Sequence, residues 1–283
     1  MDAAIEMENV CKSYGDFCLE DISLRVPRGA ITGFIGENGA GKTTTIKLML
    51  NLIRRDSGTV RVLDEESTGL TRSLKEHIGV VLDESCFPEN LCAGEVDHIL
   101  RHMYRTWDGR RFRELLKSLG LPEKKAIRDY SRGMKTKLTI AAAMSHDTRL
   151  LILDEPTSGL DPLVRDEILD LFMDFIQHED RAVFLSSHVI SDLEKACDYI
   201  TLIHQGKLLF SRTKDDLLET YGIARLGQQD LENLNPGLLM GIRKGSFGAE
   251  ALVERGKMPP SVLVDPARLE DIMVYHVREA RNR

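Results

Sequence analysis

Gly36, Glu37, Asn38, Gly39, Ala40, Gly41, Lys42 and Thr43 restrict the folds open to this 283-residue chain more than any other segment. They fit the spacing G-x-x-x-x-G-K-[ST]. Glycines there let a loop curl until successive backbone N–H groups point inward at phosphate oxygens. A short apolar run, residues 31–35, precedes the loop. Residues 42–53 follow it with Leu48, Met49 and Leu52 at helical spacing. A strand, a glycine loop and a helix in immediate succession add the positive end of a helix to the ring of amides. With this chemistry Lys42 reaches the β- and γ-phosphates of a nucleoside triphosphate, and the Thr43 hydroxyl ligates Mg²⁺. The next residue, Thr44, joins the same nucleotide-binding set.

Residues 150–155, Leu-Leu-Ile-Leu-Asp-Glu, supply a second half. Four apolar residues place Asp154 at the carboxyl end of a buried strand, where open α/β sheets bind ligands. Asp154 is expected to hold Mg²⁺ through water, and Glu155 to polarise an attacking water as general base. A solvated acidic turn is the plainer alternative for this pair taken alone. Residues 130–135, Tyr-Ser-Arg-Gly-Met-Lys, precede a helix that Ser131 can cap. On physical grounds that segment is no more than a cap beside a glycine turn.

Strand signals at residues 5–10, 22–26, 59–63, 78–82, 150–153 and 183–187 alternate with helical patterns after residue 42. Residues 199–204 and 207–210 suggest a hairpin around Gln205-Gly206. The alternation implies an α/β fold with a mainly parallel sheet and an antiparallel part at the N-terminus. Helical stripes between residues 95 and 119, bracketed by Pro88 and Gly120-Leu-Pro122, indicate a helical insertion. After about residue 218 the pattern changes. A polar, helix-like stretch at 226–239, a strand pair around Gly-Ser-Phe-Gly and a closing helix at 269–278 predict a small α+β appendage.

A net charge of −7 gives no sign of a nucleic-acid partner, whose binders carry a basic face. No apolar run approaches the ~18–20 residues that cross a bilayer. The first ten residues lack the basic start and long apolar run of a secretory signal. Five cysteines without a C-x-x-C pair fit reduced thiols in the cytosol.

Taken in order, Tyr14, residues 36–43, 130–135 and 150–155, Ser158-Gly-Leu-Asp161 and His188 resemble the ABC-type ATPase family, over roughly residues 1–215. The resemblance implies a P-loop NTPase domain at 1–217, with a helical subdomain at about 84–145 and an accessory domain at 218–283. It implies ATP and Mg²⁺ as cofactors. A second ATPase subunit, identical or paralogous, would donate Ser131 and Gly133 to cap the γ-phosphate held by the first. His188 would contact that phosphate and hold the attacking water with Glu155. Asp161 would lie in the loop coupling the two sites, and Tyr14 would stack on adenine.

Two positions depart from the family pattern. Arg132, Gly133 and Met134 replace two glycines and a glutamine, although similar Tyr-Ser-basic-Gly-Met loops occur in ATPases of bacterial ABC-2-type exporters. Asp83 stands where the family carries a glutamine that reaches Mg²⁺, with Glu84 as a competing candidate. His98 and His102, one helical turn apart, lack a third ligand and read as a solvated face, as does the stretch 110–113. Phe87, Leu91 and Trp107 line a groove for a cytoplasmic helix of a membrane partner, or fill the subdomain core.

The expected function is the ATP-hydrolysing motor of a bacterial exporter, cytoplasmic and peripheral on the inner face of the membrane, working through a separate transmembrane permease. The alternative is a soluble ABC ATPase such as an assembly factor. No sustained heptad run interrupts the chain and its motifs occur once, which argues against repair, chromosome and translation types. Residues 158–161, His188 and the lack of N-K-x-D argue against a P-loop kinase or GTPase.

Overall fold

The computed structural model describes residues 2–82, 87–245 and 248–282. The chain opens with β1 (Ala3–Tyr14) and β2 (Phe17–Pro27), an antiparallel hairpin turned at Gly15, then enters β3 (Ile31–Ile35), buried at every position. The phosphate-loop segment leads into α1 (Lys42–Met49). The helix stops short of the expected residue 53. Asn51 takes a left-handed conformation (φ 51°), and Leu52 is exposed instead of continuing the apolar stripe.

Strands β4 (Ser57–Val62) and β5 (Glu65–Glu66) join β1 and β2 in one antiparallel sheet, of order β2-β1-β4-β5. The turn helix α2 (Arg72–Lys75) then leads to β6 (Ile78–Val81). Three helices follow: α3 (Ala93–Met103), α4 (Gly109–Ser118) and α5 (Arg132–Ala143). The helical stripes between residues 95 and 119 thus belong to two helices, the second capped by the Asp108 carboxylate on the N–H groups of Arg110 and Arg111.

Next come β7 (Leu150–Asp154), α6 (Pro162–Phe175), β8 (Ala182–Ser187), α7 (Ile190–Ala196), β9 (Tyr199–His204) and β10 (Lys207–Thr213). The central sheet has the order β10-β9-β3-β8-β7-β6. All its neighbours run parallel except the β9–β10 hairpin. β3, β7 and β8 are covered on both faces, which explains their uninterrupted apolar runs.

The last part comprises α8 (Lys214–Thr220), β11 (Tyr221–Leu226), α9 (Gln228–Asn233), β12 (Met240–Gly245), β13 (Gly248–Glu254), β14 (Leu263–Pro266) and α10 (Leu269–Asn282). Its strands form a third, antiparallel sheet of order β12-β13-β11-β14. The expected single helix-like stretch at 226–239 is instead the end of a strand, one short helix and a 3₁₀ turn at Pro236–Leu238. Asn235 accepts from the Gly237 N–H there, and Pro236 breaks the helix. α10 is a full turn longer than expected.

A single apolar core runs from β3, α4 and α6 into Leu217, Leu252, Leu269 and Ile272, so the third sheet shares a core with the rest. His276 of α10 sits in that joint. Its ring lies edge-on to Phe210 of β10 (5.0 Å) and to Tyr221 of β11 (5.3 Å). Burial, reinforced by the Arg212 charge and only partly opposed by Glu279, pushes the imidazole pKa down to about 4 from 6.5. The unfolded chain therefore takes up a proton as pH falls below 6.5 while the folded one does not, and stability is lost on the way to pH 4. Unfolding midpoints across pH 7 to 4 should fall, with this one group costing at most about 3 kcal/mol. His276→Phe should flatten that slope; an unchanged slope would remove His276 as its source.

Candidate functional site

Lys42 is 6% exposed, so its ammonium must find its partners inside the protein. It donates to the carbonyls of Gly36 (2.7 Å) and Glu37 (3.3 Å) and lies 3.2 Å from the Glu155 carboxylate. The loop around it tolerates no side chain at two turns. A Cβ on Gly36 would lie 2.4 Å from the Ile203 carbonyl, and one on Gly41 (φ 113°) 2.5 Å from the Leu19 side chain. Gly41 also starts α1 without a side-chain cap, so the first-turn amides are open to an external acceptor. A cradle of this shape, with a lysine at its centre, fits a polyphosphate.

The parallel pairing of β3 with β8, and of β8 with β7, puts Asp154 beside the loop. Thr43 Oγ1 donates to Asp154 Oδ2 at 2.7 Å, and Ser186 Oγ donates to Asp154 Oδ1 at 2.6 Å. A hydroxyl and a carboxylate in contact are the hard oxygen donors a divalent cation such as Mg²⁺ accepts. Among the described residues no set of three or more His, Cys, Asp or Glu side chains forms a metal cage.

Glu155 takes a left-handed backbone (φ 51°), a costly conformation for a residue with a side chain. Two hydrogen bonds hold it there, from its N–H to the Ser186 carbonyl (3.2 Å) and to Ser186 Oγ (3.1 Å). The turn aims the carboxylate between Lys42 and His188, whose Nδ1 lies 2.5 Å from Glu155 Oε2. Downstream, Thr157 donates to the buried Asp192 at 2.5 Å, fixing the segment that ends at Asp161. Burial raises the Asp192 pKa, against the Thr157 hydrogen bond and the Arg165 charge. Asp161 caps α6 by accepting from the Val164 N–H at 3.1 Å.

Tyr14 sits near the hairpin tip, 45% exposed, with the Lys12 ammonium 5.2 Å from its ring centre. Its cross-strand partner Phe17 approaches Gly41, where a Cβ would lie 3.0 Å from the ring. Asn38 and Gly39 form the loop's outer turn, Gly39 with φ 80°; Ala40 is buried, and Thr44 lies in the first turn of α1. Ser131 caps α5 by accepting from the Met134 N–H at 3.2 Å, and Gly133 lies in the first turn. No hydrogen bond or ion pair among the described residues joins Ser131 or Gly133 to residues 36–43. Arg132 does not simply face solvent: a Cβ on Gly159 would lie 2.7 Å from its guanidinium. Asp83 and Glu84 lie outside the described residues.

Elsewhere, Phe87 and Leu91 line an apolar cavity of about 410 Å³ over α3, with Ile99 and Met103 on its rim. Trp107 is not in it; its Nε1 donates to Asp97 at 2.7 Å and its ring packs on Phe112. The rings of His98 and His102 meet edge-on, 4.8 Å apart, with no third metal-ligating side chain beside them among the described residues. Arg110 pairs with Glu114 and Arg113 with Asp97. Ser186 and Phe17 are the residues sequence reading passes over. Ser186 sits inside an apolar strand two positions before His188, a buried hydroxyl that has to find polar partners.

The chain is similar to proteins of known family. The family model described as "ABC transporter" matches residues 19–158. The bacitracin transport ATP-binding protein BcrA of Enterococcus faecalis is 39% identical over 213 residues, 74% of this chain and 69% of that protein. The linearmycin resistance ATP-binding protein LnrL of Bacillus subtilis is 34% identical, covering 84% of this chain and 78% of its own length. The lantibiotic transport ATP-binding protein SrtF of Streptococcus pyogenes is 32% identical, at 75% and 91%. Among solved structures, an ATP-binding subunit of an ABC transporter superposes with a TM-score of 0.70 at 26% identity, covering 76% of this chain and 91% of that one. A dimeric cassette bound to ADP and Pi has the same fold, with a TM-score of 0.66 at 22% identity over 74% and 98%.

Ser186→Ala removes a donor from buried Asp154 and an acceptor from the strained Glu155 amide. The amide keeps the Ser186 carbonyl, but leaving buried Asp154 Oδ1 without its donor should cost about 2 kcal/mol, read as a lower urea midpoint, and should raise the Mg²⁺ concentration needed for half-maximal ATP hydrolysis. An unchanged midpoint and Mg²⁺ dependence would show that neither bond matters.

Proposed function

The chain belongs to the ABC transporter family and is an ATP-hydrolysing subunit, and from that premise we propose that it drives an exporter by closing with a second ATPase subunit on two MgATP. The observation that carries the reading is the linked set Thr43–Asp154, Lys42–Glu155 and Glu155–His188, which aligns a cation ligand, a phosphate ligand and a base along one sheet edge.

In this reading residues 36–44 wrap the phosphates, with Lys42 turning its ammonium onto the β- and γ-oxygens. Tyr14, helped by Phe17, covers the adenine. Thr43 and Asp154 hold Mg²⁺, which when bound neutralises charge on the phosphate oxygens. Glu155 Oε2 takes the proton of the attacking water, and His188, hydrogen-bonded to that oxygen, keeps the carboxylate aimed and contacts the γ-phosphate. Ser131 and Gly133 act on the site of the other subunit. The open amides at the start of α5 suit them to a phosphate, and among the described residues no hydrogen bond or ion pair joins them to the loop of their own chain. Asp161, fixed through the Thr157–Asp192 bond, carries the state of one site to its neighbour.

No helix among the described residues is long and apolar enough to cross a membrane. In this reading a separate polypeptide supplies the pore, with this chain peripheral on the cytoplasmic face, which the naming of relatives as transport ATP-binding proteins supports. The cavity bordered by Phe87, Leu91, Ile99 and Met103 is of the size and chemistry to take an apolar helix face from that partner. Three relatives are named for bacitracin transport, linearmycin resistance and lantibiotic transport, which favours export of an antimicrobial compound over a soluble housekeeping role.

Affinity purification of the chain from detergent-solubilised membranes should bring down a polypeptide with several ~20-residue apolar spans; recovery of soluble partners alone would replace the transport reading. Glu155→Gln should slow turnover about 10²- to 10⁴-fold while retaining MgATP, and should accumulate as a dimer in gel filtration. Turnover at the wild-type rate would remove Glu155 from the chemistry.

A further inference from the structure

Glu37 is the one acidic residue in the phosphate loop, and its carboxylate belongs to the same residue whose carbonyl lies 3.3 Å from Lys42 Nζ. A carboxylate there repels the triphosphate it helps enclose, unless something offsets it. Two cations do. His204, at the end of β9 and 4% exposed, has Nδ1 3.1 Å from Glu37 Oε2. Arg281, 244 residues away in the last turn of α10, donates to Glu37 Oε1 at 2.6 Å. Arg278, one turn earlier, lines with Gly36, Glu37, His188 and Arg281 a cavity of about 350 Å³ between α10 and the loop.

The seat of Arg281 is set by the third sheet. α10 buries Ile272, Met273 and Tyr275, and the Glu279 carboxylate accepts from the Gly241 N–H of β12 at 2.9 Å, two residues before Arg281. We propose that Arg281 is a positioning residue for ATP binding: its ion pair with Glu37 neutralises and fixes the acidic position of the phosphate loop, so that nucleotide affinity depends on how the C-terminal sheet and α10 are seated. The inference rests on the assignment of residues 36–43 to the phosphates.

Both partners are half exposed, so the pair is screened by solvent and salt and its effect is modest. In the full-length chain, Arg281→Ala should weaken MgATP binding about three- to tenfold by calorimetry at low salt, less at 0.5 M salt, and less for ADP than for ATP. Arg281→Lys should recover most of the affinity. In a Glu37→Gln background, where there is no charge to offset, Arg281→Ala should change the affinity less than about 1.5-fold. Unaltered affinity in Arg281→Ala overturns the proposal, and so does an equal loss in both backgrounds, which marks the helix end as merely structural. Lys42→Ala, measured alongside, separates the two levels. Wild-type MgATP affinity in that variant overturns the phosphate-loop assignment itself, whereas loss of binding there with no effect of Arg281→Ala overturns only the role of Arg281.

Discussion

A buried ammonium is the constraint on which the site's geometry depends. Lys42 lies almost wholly out of water, and an unpaired charge there would cost several kcal/mol. Its compensation comes from three directions: two loop carbonyls that exist only if the chain curls tightly from Gly36, and a carboxylate from the end of a different strand. The tight curl requires glycine where Ile203 and Leu19 close in, and the carboxylate requires Glu155 to turn into a left-handed backbone. Each requirement recruits further residues. Ser186 ties down the strained Glu155 amide and, through its hydroxyl, orients Asp154 against Thr43. Backbone strain at Glu155 is thereby tied to the position that touches both the lysine and the histidine.

Strand order determines which residues can take part. β3 lies between β9 and β8, with β7 beyond, so the loop after β3 meets the carboxyl ends of three other strands. His204 comes from β9, Ser186 and Ser187 from β8, Asp154 from β7. These lie up to 168 residues from the loop in sequence, yet the parallel registers bring them to one edge with no further adjustment. This is the crevice in which open α/β sheets bind ligands.

Much of this was legible because it depends on local patterns. The glycine loop between an apolar run and a helix, and the carboxylates after Leu150-Leu-Ile-Leu153, announce a parallel sheet with the candidate site at the carboxyl ends of its strands. What stayed hidden depends on distant contacts. The end of α1 is decided by Asn51 adopting φ 51°, a choice that no apolar stripe records. Ser186 reads as the first of two serines closing a buried strand until its partners at 154 and 155 are in place. Trp107 suits a groove or a core equally by composition, and the Asp97 carboxylate that accepts its N–H decides for the core. In the last 65 or so residues, β11 is short and lies between amphipathic segments. Its strand character comes from pairing with β13 and β14 rather than from its own periodicity.

The third sheet shows how an appendage becomes part of an engine. One face closes on itself around Ala224, Leu226, Ala251 and Val253, whereas Leu252, Leu269 and Ile272 pack into the same core as β3 and α6. A shared core costs independence, because neither part can rotate without exposing apolar surface. It also fixes the direction of α10, whose buried face leaves the arginines at its C-terminal end beside the phosphate loop. Hydrophobic packing therefore sets where the helix points, and charge acts only over the last few ångströms, between Arg281 and Glu37. An exposed ion pair could not hold two domains together, since such pairs contribute at most about 1 kcal/mol. Once packing has put the groups within reach, the same pair can alter the electrostatics of a phosphate site at little cost in stability, which is why the acidic residue in the loop is tolerable at all.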